Sequence, residues 1–252
     1  MRTLLVTLAL LVFVPTASAA GPWLGVATNG LGYTVSYGGN VTHIGSLTVR
    51  GVWGIPRVTL ENGVGGLSAD GRTLVLAQSN VNHPNGALAR TSSFLVLGTK
   101  PLHVRHTVTL RGDFGFDALS PHGRTLYLIQ HVSSENLSRY RVRAYDLARG
   151  RLLSRVIADK RQRDWLMVGS PVTRATSANG SWVYTLYASG NNYPFVHALD
   201  TVHRSAVCIG IPWNWATDQN AINSAKLRIE GGKLSISGRF LLDRTTFEVT
   251  RT

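Results

Sequence analysis

The chain has one cysteine, two methionines and half as many acidic as basic residues, 13 against 26. A lone Cys208 forms no internal disulfide, so the fold is held by packing without a covalent staple. Its place in the apolar run 205–211 reads as a buried, inert thiol. Beyond the N-terminal segment, no stretch approaches the roughly 20 apolar residues of a membrane-spanning helix. Linear signatures of catalysis are missing too: no G-x-S-x-G elbow, no H-E-x-x-H, no Cys/His cluster and no glycine-rich phosphate loop. His103 and His106 stand three apart on an expected strand, which puts them on opposite faces and makes them a poor metal pair. No metal or other cofactor is expected.

What is present begins with an export signal. Arg2, an apolar core over residues 4–14, Pro15 and the small-x-small pattern Ala17-Ser18-Ala19 form a secretory signal peptide over 1–19. Residues 20–252 are expected as a single domain outside the cytoplasm, secreted or in the periplasm or cell envelope, with no transmembrane segment after cleavage. A formal charge of +13 attracts polyanions. Export turns the expectation away from nucleic acid and toward anionic cell-surface polymers.

The chain also repeats itself. "GLSADGRTLVLA" around Gly71 returns as "ALSPHGRTLYLI" around Gly123 and "ATSANGSWVYTLY" around Gly180. Two looser copies surround Gly30 and Gly231. The spacing of roughly 40–57 residues is that of four-stranded propeller blades. Each copy reads as a strand, a tight turn at glycine and a second strand that is alternating or fully apolar. A third and fourth strand follow, as in "RYRVRAYDLARGRLLSRVIA", where Asp146 opens the turn between them, as Asp200 and Asp243 do in later copies.

"LSPHGRTLYLIQH…YRVRAYDLARGRLLSRVI" resembles the YVTN-type repeats of lactonase-like β-propellers, related in style to WD40-like bacterial repeats, over most of the mature chain. Tyr127-Leu128-Ile129-Gln130 replaces the four signature residues, so the resemblance implies the fold and not the family's activity. The expected fold is all-β: a propeller of five contiguous four-stranded blades, closed by packing of blade faces with no strand swapped between the termini. Asp117 and Arg174 stand six residues before their turn glycines, in equivalent places of adjacent blades, which predicts an inter-blade ion pair.

Candidate chemistry gathers where blade-to-blade connections and second-to-third-strand loops share one face. The connections carry Asp113, Asp164 beside Trp165, and Asp218 near Trp213 and Trp215; the loops add His83, His131, Asn191 and Tyr193. Trp165, Trp213, Trp215, His83, His131, Asn191 and Tyr193 are the expected ligand-binding set, for a protein or glycan partner of a non-catalytic recognition or scaffolding module. Asp113, Asp164 and Asp218 are the catalytic candidates of the alternative, a carbohydrate-active or lactone hydrolase that needs paired carboxylates. A third reading is a cell-envelope protein docking on anionic polymers through a basic surface. Arg139, Arg141 and Arg143, alternating along one strand, form either a basic stripe or a guarded sheet edge.

Overall fold

Apolar runs bounded by glycine turns become antiparallel sheets made of consecutive strands. The computed structural model describes residues 24–28, 31–59, 65–78, 88–159, 166–188 and 193–252, the side chains of 24–28, 31, 32 and 215 excepted. The first sheet is β1 (Leu24–Thr28), β2 (Leu31–Gly38), β3 (Val41–Ile44) and β4 (Leu47–Arg50); the second is β5 (Trp53–Gly54), β6 (Thr73–Gln78), β7 (Thr91–Thr99) and β8 (Leu102–Arg111). The third is β9 (Phe114–Leu119), β10 (Thr125–His131), β11 (Arg139–Asp146) and β12 (Arg151–Leu152), with the short β13 (Met167–Val168) also paired to β11. The fourth is β14 (Ser170–Thr176), β15 (Trp182–Ala188), β16 (Phe195–Asp200) and β17 (Ser205–Gly210). After a helix, α1 (Trp215–Asn223), the fifth is β18 (Leu227–Glu230), β19 (Lys233–Ile236), β20 (Phe240–Asp243) and β21 (Val249–Arg251). The strands run up and down in chain order, and among the described residues none is exchanged between the first sheet and the last.

The repeated turn is built the same way in sheets two, three and four. Ser68, Ser120 and Ser177 accept the backbone N–H of Thr73, Thr125 and Trp182 on their hydroxyls, while their carbonyls take the N–H of Gly71, Gly123 and Gly180. Gly123 has φ +61°, and a Cβ there would fall 2.3 Å from Thr73 Oγ1 of sheet two, so this glycine serves both the turn and the approach of neighbouring sheets. The third-to-fourth-strand turns are Asp-capped as expected. Asp146 Oδ1 accepts from the N–H of Ala148 and Arg149, Asp200 Oδ1 from Val202 and His203, and Asp243 Oδ1 from Thr245 and Thr246. Backbone N–H donation to the ionised form holds the Asp146 and Asp243 carboxyls below the usual range.

Four apolar clusters hold the sheets together, each between consecutive sheets. Strand β10 shows why its sequence is continuously apolar: Leu126 and Leu128 face sheet two, and Tyr127 and Ile129 face sheet four. Strands β6 and β15 divide their side chains in the same way. The end sheets differ. In sheet five Leu227, Leu234, Ile236, Phe240 and Leu242 pack on sheet four, whereas the opposite face carries the exposed Arg228, Glu230, Lys233 and Thr250. In sheet one the face turned from sheet two carries the exposed Thr34, His43, Thr48 and Arg50. The apolar seam expected between last and first sheets is therefore not present among the described residues, because both faces that would form it are polar.

Two local expectations also change. The fourth strand of sheet three, expected over 152–158, is only two residues long, followed by an isolated bridge from Ile157 to Val142. The segment 210–223, expected as a connecting loop, contains α1, with Asn214 as its N-cap accepting from the Ala216 N–H.

Candidate functional site

The inner strands and turns of sheets two to five line one cavity of about 690 Å³, reached by residues such as Gly66, Phe116, Arg174 and Ile229. Four consecutive sheets thus direct their inner edges to a common axis. Against it, between sheets three and four, lies the expected ion pair. Arg174 Nη2 donates to Asp117 Oδ1, Nη1 to the Asp117 carbonyl, and Nε to Thr185 Oγ1 at 3.0 Å. Both residues are buried, Asp117 at 2% exposure, and the carboxylate is neutralised by the guanidinium beside it; the pair reads as structure. Behind it the buried Tyr187 stacks on Phe195, with ring centroids 5.3 Å apart, and meets His197 edge-on at 6.3 Å.

The candidate site is at the end where sheet-to-sheet connections emerge. Asp113, in the connection from β8 to β9, and His131, the last residue of β10, come together there. His131 Nδ1 stands 3.1 Å from Asp113 Oδ1, and the His131 N–H donates to the Asp113 carbonyl at 3.1 Å. Asp113 Oδ2 accepts the Ala89 N–H at 3.0 Å. A carboxylate only accepts, so this pairing puts hydrogen on Nδ1, and in the neutral ring Nε2 is then the acceptor. His131 is partly exposed and Asp113 is buried beneath it. The two line a pocket of about 220 Å³ between sheets two and three, with Phe94, Phe114 and Phe116 as apolar lining and Arg57 and Gln78 as further polar groups.

Two serines also line this pocket, and both hydroxyls are engaged. Ser92 Oγ donates to the Gly112 carbonyl at 3.0 Å and accepts the Phe114 N–H at 2.8 Å, while Ser93 Oγ is 3.3 Å from Thr109 Oγ1. The buried Asp113 holds an imidazole and a backbone N–H, which makes it an orienting carboxylate and not the acid or nucleophile of a carboxylate pair.

Other sequence candidates fall elsewhere. Trp213 is 2% exposed, packed between sheets four and five with its ring 5.5 Å from Phe240 and the Arg239 guanidinium 5.6 Å from its centroid. It offers no open ring face to a ligand, which corrects its place in the binding set; a large apolar ring is worth more in that core than at the mouth. Asp218 sits in α1, 3.8 Å from Arg239. Tyr193 is 66% exposed and keeps its ring free for contact. Trp215 opens α1, while His83, Asp164, Trp165 and Asn191 lie outside the described residues. Arg57 and Gln78 were not among the sequence candidates, and only their distance in sequence from Asp113 and His131 hid them. Among the described residues no group of three or more His, Cys, Asp or Glu side chains is placed to hold a metal ion.

No protein-family model and no curated protein matches the chain. Solved structures do match. The hydrazine synthase of Kuenenia stuttgartiensis is 15% identical with a TM-score of 0.43, the match covering 88% of this chain and 68% of that one. TolB from Acinetobacter baumannii is 12% identical with a TM-score of 0.40, covering 86% and 50%. The Dos1 propeller is 11% identical with a TM-score of 0.48, covering 88% and 55%. In its own right the chain is all-β, built from consecutive antiparallel sheets. Among the described residues no helix is long and apolar enough to cross a membrane.

Proposed function

We propose that the chain is an exported five-bladed β-propeller acting as a non-catalytic recognition module, with a group of a glycan or protein ligand seated in the pocket between sheets two and three. The signal-peptide pattern over 1–19 supports export, and the common axis of the inner strands supports the propeller. In this reading the five sheets are the blades, and the sides of the fifth and the first that would meet are polar and largely exposed.

One observation carries the binding reading: His131 is oriented by Asp113 toward a small pocket whose lining serines are both committed to structural hydrogen bonds. An oriented imidazole acceptor, an arginine and an apolar lining suit a hydroxyl- or carboxylate-bearing ring better than they suit acyl transfer. The alternative is hydrolysis with His131 as general base toward water, favoured by the same His–Asp pairing.

A panel of neutral and acidic saccharides and of hydroxylated peptides, screened by melting temperature, separates the two. A ligand at a hundredfold its Kd stabilises by about 2.7 kcal/mol. Binding that weakens at least tenfold in His131→Ala and Arg57→Gln, with the compound recovered unchanged, is the expected result. A compound that is turned over by the wild type and not by His131→Ala establishes the enzyme instead.

A further inference from the structure

Strand β11 carries the row Arg139, Arg141 and Arg143, and its surroundings decide between stripe and guarded edge. The strand is interior to its sheet: β10 pairs along one side, and β12, Ile157 and β13 occupy the other. Protection of an open edge is therefore not its purpose. Arg141 stands opposite Gln130 and Arg143 opposite Leu128, on the face that meets sheet two through Phe114, Phe116, Leu126 and Tyr145.

Neither arginine meets a carboxylate among the described residues. Arg143 is pinned by two hydrogen bonds, Nη1 to Gln130 Oε1 at 2.7 Å and Nη2 to the Leu153 carbonyl at 2.9 Å. Its Nε and that of Arg141 are buried without partners. Burial, and then the charge of Arg141, push the Arg143 guanidinium below its usual pKa, so two half-buried cations bear on each other with no anion between them. His106 projects from sheet two on the side of Val96 and Val108, toward sheet three, and its Nε2 is also buried and unpartnered. Buried polar groups in folded proteins are satisfied as a rule, and three unsatisfied nitrogens on the facing sides of one inter-sheet space mark a missing partner.

We propose that Arg141 and Arg143 form an oxyanion site between sheets two and three, taking a phosphate- or sulfate-type group, with the exposed Arg139 at its outer end. Side chains two residues apart on a strand are roughly 6.6 Å apart at their Cα atoms, which lets the Arg141 guanidinium and the open Nε–H of Arg143 converge on one tetrahedral oxyanion. Charge-assisted bonds to such an anion satisfy donors that the protein leaves open and remove the repulsion between the two cations. Neither arginine lines the Asp113–His131 pocket, and the proposal does not rest on the function proposed for that pocket.

The test titrates inorganic phosphate against the full chain, with sodium chloride at matched ionic strength as the reference, following the melting temperature and the ³¹P line width. Saturable stabilisation and line broadening are expected for the wild type and for Arg149→Gln, whose native partner is Asp146 in a separate turn. Arg141→Gln should weaken phosphate at least tenfold. Equal effects of phosphate and chloride on the wild type, or unchanged affinity in a folded Arg141→Gln protein, overturn the proposal. Should Arg141→Gln fail to fold, Arg141→Lys keeps the charge and loses the fork, and retention of full affinity by it has the same meaning. A polyphosphate chain in a parallel titration identifies the source. Affinity per phosphate well above that of the free ion, lost in Arg141→Gln, indicates a polymer; equal affinity indicates a free anion. Polymer binding that collapses with salt and ignores Arg141→Gln is surface charge alone and also overturns the site.

Discussion

Replacing Asp117 by alanine is expected to destabilise the protein by about 3–5 kcal/mol, because Arg174 is then left as an uncompensated cation between sheets three and four. The guanidinium loses its charged bond to the carboxylate and keeps two neutral acceptors, the main-chain carbonyl of residue 117 and Thr185 Oγ1. The double variant Asp117→Leu, Arg174→Met removes both charges and should cost much less than the single change, since apolar replacement of a whole buried pair is often neutral. Urea unfolding of the three proteins measures this directly. A single-variant cost under about 1 kcal/mol would place the pair with surface ion pairs and remove it from the sheet interface.

His197 gives the second large effect, and it depends on pH. The ring is buried, its Nε2 has no partner, and its pKa is lowered to about 4, chiefly by burial. Nearby charges act in opposition, with Asp117 and Asp159 raising it and Arg174 lowering it. The folded state keeps His197 neutral where the unfolded chain, with an ordinary histidine near 6.5, binds a proton. Stability should therefore fall as pH drops from about 6.5 toward about 4, by on the order of 3 kcal/mol in total, and this contribution should level off below that. The carboxyls of Asp70, Asp146 and Asp243 are held below the usual aspartate value of about 3.9 and stabilise the fold above it, so their losses fall at lower pH. Phe in place of His197 should flatten the slope of unfolding free energy between pH 6.5 and 4. An unchanged slope would mean that the ring is protonated in the folded protein.

Much of this architecture was legible before any coordinates. Turn glycines fixed the number and place of the inner hairpins, and equal offsets from them paired Asp117 with Arg174. The polar faces of the end sheets were not read from the sequence, although "TLVLA", "TLYLI" and "VYTLY" are apolar on both faces whereas "YTVS" and "KLSI" alternate, as strands with one wet face do. The repeated serine three residues before Gly71, Gly123 and Gly180 was equally visible as a pattern, though its hydroxyl's service to the fifth residue onward needs the folded turn.

The candidate site was legible only as a neighbourhood. Asp113 and His131 were both assigned to the mouth, but their pairing depends on the register of β10 against β9, which a bulge between Tyr127 and Leu128 shifts. Trp213 was misplaced because residue type does not tell which way a connecting segment turns; the cap at Asn214 and the helix after it send that ring inward. Arg57 follows β5 and Gln78 ends β6, and no local pattern links them to His131.

The radial arrangement underlies all of these readings, and a cross-link across the axis tests it. Ala69 and Gly180 belong to the inner turns of sheets two and four, which are not neighbours, yet a Cβ on Gly180 would lie 2.8 Å from that of Ala69. This is shorter than the roughly 3.5–4.5 Å between the Cβ atoms of a disulfide, so the two turns need to part by only about 1 Å to accept one. With Cys208→Ser removing the native thiol, Ala69→Cys with Gly180→Cys should oxidise in air to a single intramolecular disulfide and leave no thiol reactive in the folded protein. Two thiols that stay free and reactive in a folded, oxidised sample would contradict the convergence of the sheets on one axis.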